Sequence, residues 1–208
     1  MLRERHIIDL FKGLTAPYVL LLMALTDAWD RPTAWVYLGV HGTYGLLWVM
    51  KSRLFGDKSW EVPCGPFRAL LLTVGLAMYW LGPTLLLFSD RAAPAPVLGL
   101  GVALFGLGTF LHFAADMQKT MALELRPGQL FTGRLWARTR NPNYLGELLI
   151  YLSFCLLSCH WQPYAWFALV IAVIWVPNMR RKDASMARHP TFAAWKARSG
   201  LLFPQLGD

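Results

Sequence analysis

Between Arg134 and Glu147 the chain reads RLWARTRNPNYLGE, which sets three arginines, an Asn-Pro-Asn turn, a tyrosine and an acid at the mouth of an apolar helix. Guanidinium groups fit phosphate oxygens in a planar fork, and an asparagine with an acid one turn away suits hydrogen bonding to an amide or a hydroxyl. Pro142 disfavours helix at Asn141 and is pre-set for a first helical turn. Either Asn141 or Asn143 can cap it, so the spacing predicts a helix starting near Asn143. Tyr144, Glu147 and Leu148 then share a face. No Asp, Glu, Lys or Arg occurs from Leu148 to Met179, so Glu147 lies one turn inside an apolar helix. At mid-membrane such an acid costs about 2.5–3.5 kcal/mol, less towards the interface, which makes it either a functional group or an interfacial carboxylate neutralised by Arg138 or Arg140.

Three other groupings carry chemistry. His112, Asp116 and Lys119 fall at i, i+4 and i+7, so one helix face shows an imidazole, a carboxylate and an ammonium. An interfacial ion pair is the plainer use of that face. His41, Tyr44, Trp48 and Lys51 form a second stripe, able to donate hydrogen bonds to a substrate oxygen or to satisfy one another between helices. The run NMRRKDASMARHPTFAAWKARSGLLFP is dense in Arg and Lys yet contains Phe192, Trp195, Leu201, Leu202 and Phe203. It can fold back beneath the bundle as an amphipathic helix, or bind anionic headgroups.

The elements that position these groups are membrane helices. The 208 residues are 56% hydrophobic and 15% charged, with ten tryptophans, which describes a polytopic bundle and not a soluble domain. Six apolar segments approach the length a bilayer needs, about 17–25 residues each: roughly 10–27, 33–50, 66–89, 96–115, 144–160 and 163–179. The last two are joined by His160-Trp161-Gln162 alone, a helical hairpin. The fold expected is all-α, about six transmembrane helices with a cytoplasmic amphipathic C-terminal tail. It forms one integral membrane domain over 1–208, with 1–95 as the substrate side and 96–208 as the cofactor half.

Counted with the nearest end of each span, eighteen of the twenty Lys and Arg fall on one side. The positive-inside rule then puts both termini in the cytoplasm, as expected for a bacterial inner-membrane protein. The charged loop KSRLFGDKSWEVPCGP lies along the interface with Trp60 as anchor, and Leu14 to Leu25 is a retained first span and not a cleaved leader. A net charge of +8 could suggest nucleic acid, but the basic residues alternate with spans, so no nucleic-acid partner is expected. Cys64, Cys155 and Cys159 have neither metal spacing nor an even count, so neither a metal centre nor a disulfide framework is expected. Glycines 99, 101, 106 and 108 would let the fourth span approach its neighbours closely.

Three segments together, DMQK at 116–119, LFTGRLWARTRNPNYLGE at 130–147 and RRKDASMARHPTFAAWKARSGLLFP at 180–204, resemble the C-terminal half of the steroid 5-alpha-reductase superfamily. Sterol C14 and delta-7 reductases and an uncharacterised bacterial branch belong there. The resemblance covers roughly residues 100–204. It implies a membrane reductase that uses NADPH on a carbon–carbon double bond of a lipid such as a steroid or sterol. It further implies that Asp116, Asn143 and Glu147 contact the cofactor and that Arg181, or Arg180 beside it, holds a phosphate. The chain departs from many relatives in having Ser185 where they carry a histidine or tyrosine, and Phe192 with Trp195 where they carry a paired aromatic. Arg140, Pro142 and Tyr144 also resemble the core of the isoprenylcysteine carboxyl methyltransferases, which use S-adenosylmethionine. Those enzymes carry a Glu-Glu pair after the last span, where this chain has Lys182-Asp183.

The expected cofactor is therefore NADPH, with S-adenosylmethionine as the alternative. Its expected contacts are Asp116, Lys119, Arg138, Arg140, Asn143, Tyr144, Glu147, Arg180 and Arg181. The chain has no G-x-G-x-x-G, so a Rossmann fold is excluded as the carrier. Tyr44 and His41 are the expected donors to a conjugated carbonyl, where charge builds as the double bond is reduced. If the alkene must instead be protonated, Asp116 or Glu147 is the acid. The expected partners are a lipid substrate arriving from the bilayer and membrane lipids. A non-catalytic lipid-binding protein is the remaining reading.

Overall fold

The computed structural model describes residues 2–57 and 60–205; Lys58 and Ser59 of the expected interfacial loop, and the end of the chain from 206, lie outside the described residues. In chain order the helices are α1 Glu4–Gly13, α2 Thr15–Leu25, α3 Pro32–Tyr37, α4 Thr43–Phe55, α5 Pro66–Tyr79, α6 Leu81–Leu87, α7 Ala95–Leu125, α8 Pro142–Leu157, α9 Gln162–Val170, α10 Val176–Met186 and α11 Phe192–Ala197. Wider π turns, Leu38–Gly42 and Ile171–Trp175, join α3 to α4 and α9 to α10. The second has a local cause. Pro177 lacks an N–H and its ring would press on a carbonyl one turn back, and the extra residue in the preceding turn relieves that conflict.

Among the described residues four helical runs are long and apolar enough to cross a membrane: Glu4–Leu25, Pro66–Leu87, Ala95–Leu125 and Gln162–Met186. The protein is an all-helical integral membrane protein. Two of the six expected spans differ from these four for separate reasons. The run over 32–55 is long enough, but His41, three glycines and several Tyr and Trp residues dilute its hydropathy. Helix α8 is apolar but has 16 residues, short of the usual span. The expected hairpin between the last two spans is present. It turns at Cys159 in the left-handed region, φ 57°.

The chain divides into two compact units, residues 1–103 with 152–166 and residues 104–151 with 167–208, so the division falls inside α7, α8 and α9. In the first unit, Val19, Leu22, Met23, Ala28, Ala34 and Leu87 form a dry core. Tyr18 stacks on Trp80 with ring centroids 4.3 Å apart and shares a 2.8 Å hydrogen bond with Thr84. Gly45 lets α4 lie directly against the Lys12 carbonyl of α1, and a Cβ at Gly101 would meet Leu157 at 2.8 Å. Arg31 closes one end of this unit by donating to the carbonyls of Leu86 at 3.0 Å and Arg91 at 2.8 Å. At the N-terminus Arg3 and Arg5 bind Glu61, and the hydrogen bond from Arg3 holds the Glu61 carboxyl below its ordinary range.

The second unit is built on the crossing of α7 with α8. A Cβ at Gly108 would stand 2.6 Å from the Gly146 carbonyl, and one at Gly146 would run into the backbone of His112. Of the four glycines expected to permit close approach, Gly101 and Gly108 do so, whereas a Cβ at Gly99 or Gly106 would meet nothing within 4 Å. After α10 the chain returns as the short helix α11, which buries Phe192 and Trp195 with Ala115 and Trp136. After α10 the chain therefore packs back through six helical residues followed by an irregular, bent segment, not through a long amphipathic helix. That segment is clasped along its length: Gly200 N donates to Arg138 O at 3.0 Å, Arg140 N to Gly200 O at 2.9 Å, and Thr139 Oγ1 to Leu202 O at 2.9 Å.

Candidate functional site

In the second unit the α7–α8 crossing brings together residues that lie far apart in sequence. Asn143, at the start of α8, donates from Nδ2 to Asp116 Oδ1 of α7 at 3.0 Å. His112, one turn before Asp116, sits with Nδ1 3.1 Å from the Asn143 carbonyl. A carbonyl only accepts, so Nδ1 carries the proton and Nε2 faces Asp116 Oδ2 at 3.9 Å. Asn143 is 9% exposed, yet its Oδ1 meets no hydrogen-bond partner. A buried amide oxygen in that condition costs about 1–3 kcal/mol, and a ligand N–H would recover it. Glu147 follows Asn143 by one turn, half-buried on the same helix. The expected Asp116, Asn143 and Glu147 therefore share this crossing, with Lys119 one turn beyond Asp116 on α7. Asn141 sends its amide to the Leu201 carbonyl at 2.9 Å, so both asparagines of the turn hold tertiary contacts.

A cavity of about 440 Å³ lies nearby in the chain's own returning segment, lined by Arg140, Arg180, Asp183, Phe192, Lys196 and Leu201 among others. Three cations face one carboxylate there, above an apolar floor. Arg140 is 7% exposed and its guanidinium is tightly held, donating from Nε to both Asp183 oxygens at 3.0 and 3.1 Å and from Nη1 to Ser199. It braces the cavity wall as much as it charges it. Arg180 and Asp183, with Ala184 and Ala187, form the α10 face that lines the cavity. Arg181 projects from another face, exposed and donating to Asn178. Arg138 is exposed on the clasped segment. The Tyr144 ring lies edge-on to Trp175 and under Lys182, whose Nζ is 4.6 Å from its centroid.

The expected donors His41 and Tyr44 belong to the first unit, and both are fully buried. His41 is enclosed by rings, 4.1 Å from Phe154 and 4.2 Å from Tyr79, and neither ring nitrogen meets a partner. The stripe read from the sequence does face inward, with Trp48 and Lys51 also buried. What sequence reasoning missed is its other wall. Lys12, 2% exposed, points its ammonium at Tyr79 (3.7 Å to the centroid), Tyr44 (4.7 Å) and Trp48 (5.0 Å). Each desolvated aromatic face is worth about 0.5–2 kcal/mol, which offsets a good part of the several kcal/mol that a buried ammonium costs. Lys12 lies inside the expected first span, but its aromatic neighbours come from α4 and α5 and no spacing announces them.

Asp183 was missed as well. It serves as the counter-charge to Arg140 across 43 residues, and the sequence shows it only as one acid in a basic run. Among the described residues no group of three His, Cys, Asp or Glu is placed to hold a metal. No curated protein matches the chain. Residues 71–190 match a family model described as a protein of unknown function, DUF1295, and this stretch contains the α7–α8 crossing and the start of the cavity wall. Because the match spans more than half of the chain, the protein belongs to the DUF1295 family.

Proposed function

We propose that the protein is a membrane reductase that uses NADPH on a carbon–carbon double bond of a lipid. The observation that carries this reading is the buried, unpartnered Oδ1 of Asn143 beside Asp116, because a nicotinamide carboxamide offers the N–H that this oxygen lacks. The cavity with Arg140, Arg180 and Lys196 fits the other end of such a molecule, where phosphates need several cations. The chain's resemblance to the steroid 5-alpha-reductase group, through the segments quoted above, adds to this reading. When bound, the cofactor supplies the hydride; the chain's residues bind, orient and exclude water. Asn143 is fixed by Asp116, so its oxygen is pre-aimed and little entropy is lost on binding. Glu147 would accept from a second amide N–H or a hydroxyl one turn further on. Arg180 would take the terminal phosphate, and Arg140, held by Asp183 and Ser199, would keep its fork in place. His41 and Tyr44 remain the donors proposed for a substrate oxygen. The finer topology is part of the same proposal: six crossings, both termini in the cytoplasm of a bacterial cell, and the returning tail on that side.

Titration of the detergent-solubilised protein with NADPH, NADH and S-adenosylmethionine tests the reading. Saturable NADPH binding, weaker NADH binding and negligible S-adenosylmethionine binding are expected. Binding of S-adenosylmethionine without NADPH would assign the cavity to methyl transfer, with Asp183 as the carboxylate for its amino group. Binding of none would leave a lipid-binding protein.

A further inference from the structure

The first unit holds a cavity that shares no residue with the reductase reading. It is a groove of about 380 Å³ between α1 and α4, and its two ends differ in chemistry. The helices run antiparallel there: Ser52 Oγ of α4 donates to Asp9 Oδ2 of α1 at 2.9 Å, and one turn on a Cβ at Gly13 would stand 3.5 Å from Val49 Cγ2. One end therefore gathers His6, Asp9 and Arg53, and the other is made by Gly13, Leu14 and Val49. Leu10, between the ends, is 57% exposed and Leu14 43%, so the apolar walls are bare. They belong to the run Glu4–Leu25, which is long and apolar enough to cross a membrane, so acyl chains are the natural cover for them.

The polar end narrows the occupant. Ser52 fills one Asp9 oxygen, but Oδ1 is shut off from water and among the described residues meets no hydrogen-bond donor. A buried carboxylate oxygen in that state is rare in a folded protein, and a cationic N–H satisfies it best. Arg3 N donates to His6 Nδ1 at 3.2 Å, so a neutral His6 carries its proton on Nε2 as a donor. Arg53 adds an exposed guanidinium from the last turns of α4. An anion alone would meet the Asp9 carboxylate, and a cation alone would meet Arg53. A zwitterion with an apolar tail satisfies both. We propose that the α1–α4 groove binds phosphatidylethanolamine, with its ammonium on Asp9 Oδ1, its phosphate on Arg53 and His6, and an acyl chain along Leu10, Gly13 and Leu14. A choline headgroup carries the same charges but has no N–H to give Asp9.

Native mass spectrometry of the full-length protein in neutral detergent, without NADPH, tests this. The probes are phosphatidylethanolamine, phosphatidylcholine and phosphatidylglycerol with identical acyl chains, and glycerophosphoethanolamine as the form without chains. Phosphatidylethanolamine should bind about tenfold more tightly than the other two lipids, the difference expected of one charge-assisted hydrogen bond, and the form without chains should bind far more weakly. Asp9→Asn keeps an acceptor for Ser52 but removes the charge, and should bring phosphatidylethanolamine down to the level of phosphatidylcholine. Arg53→Gln should weaken all three lipids and keep the preference for the amine. Unchanged unfolding midpoints would show that both variants are folded; should Asp9→Asn fail to fold, the comparison of the three lipids on the unaltered protein still decides. Equal binding of phosphatidylethanolamine and phosphatidylcholine, a preference that survives Asp9→Asn, equal binding of the form without chains, or a dimer that excludes lipid would overturn the proposal. A failed NADPH titration would leave this result untouched, and loss of the amine preference would leave the reductase reading untouched.

Discussion

At the scale of single residues, position in the sequence and role in the structure part company most clearly at the arginines. Arg140 sits in the most polar stretch of the chain, yet its geometry is that of a brace, with Asp183 and Ser199 consuming most of its donors. Arg140→Lys cannot reproduce a fork that addresses both Asp183 oxygens, so it should lower the thermal unfolding midpoint, with a loss of about 2–3 kcal/mol for hydrogen bonds to a charged group. Arg180 and Arg181 are neighbours about 100° apart around α10, and of the two Arg180 lines the cavity. Arg180→Ala should narrow the gap between NADPH and NADH affinity, whereas Arg181→Ala should leave it nearly unchanged; comparison of the two titrations decides which guanidinium meets the phosphate. Glu147→Gln keeps shape and removes charge. It should cost roughly ten- to 150-fold in NADPH affinity with expression unchanged, the equivalent of a bond to a charged group.

At the scale of elements, the pattern of apolar residues announces the long helices, and Pro142 announces the start of α8 within a residue of where it begins. The juxtaposition of Asp116 with Asn143 was legible as well, because both lie in recognisable segments. The crossing that makes it possible was only half legible. Four glycines on α7 look alike in sequence, but contact is made where a partner helix also lacks a side chain, and Gly146 supplies that partner for Gly108. Gly146→Ala should separate α7 from α8. Overpacking of this kind costs about 1–3 kcal/mol, read as a lower unfolding midpoint, and it should lower NADPH affinity by spreading Asn143 from Asp116. The same substitution at Gly106, where nothing lies within 4 Å, serves as the control and should change neither quantity. Local patterns could not report Asp183 with Arg140, or Lys12 with Tyr79, since each pairing is made by elements far apart in the chain.

At the scale of the whole molecule, the distribution of basic residues predicts one orientation, with positions 129 and 198 on the cytoplasmic side. Cysteines placed at Gln129 or Arg198 should resist a membrane-impermeant thiol reagent added from outside intact cells and react after permeabilisation. Strong labelling from outside would reverse the topology. The N-terminal ion pairs make a second whole-chain expectation. The Glu61 carboxyl titrates lower when folded than when unfolded, chiefly through its bond from Arg3, so its contribution is present above the ordinary carboxylate range and is lost as pH falls through the lowered value. Such an exposed contact contributes little, and Glu61→Gln should shift the acid limb of a pH-unfolding profile only slightly. The π turn at Leu38–Gly42 bears on how this protein is compared with its kin. One residue deleted there would let the helix close into ordinary α geometry and rotate its N-terminal part by about 100° against the remainder. A family member shorter by that one residue would then keep an unbroken apolar helix while aiming different side chains at Tyr79. Ungapped alignment through this segment would pair residues that never occupy the same place, so divergence at position 41 among relatives need not signal a change of ligand.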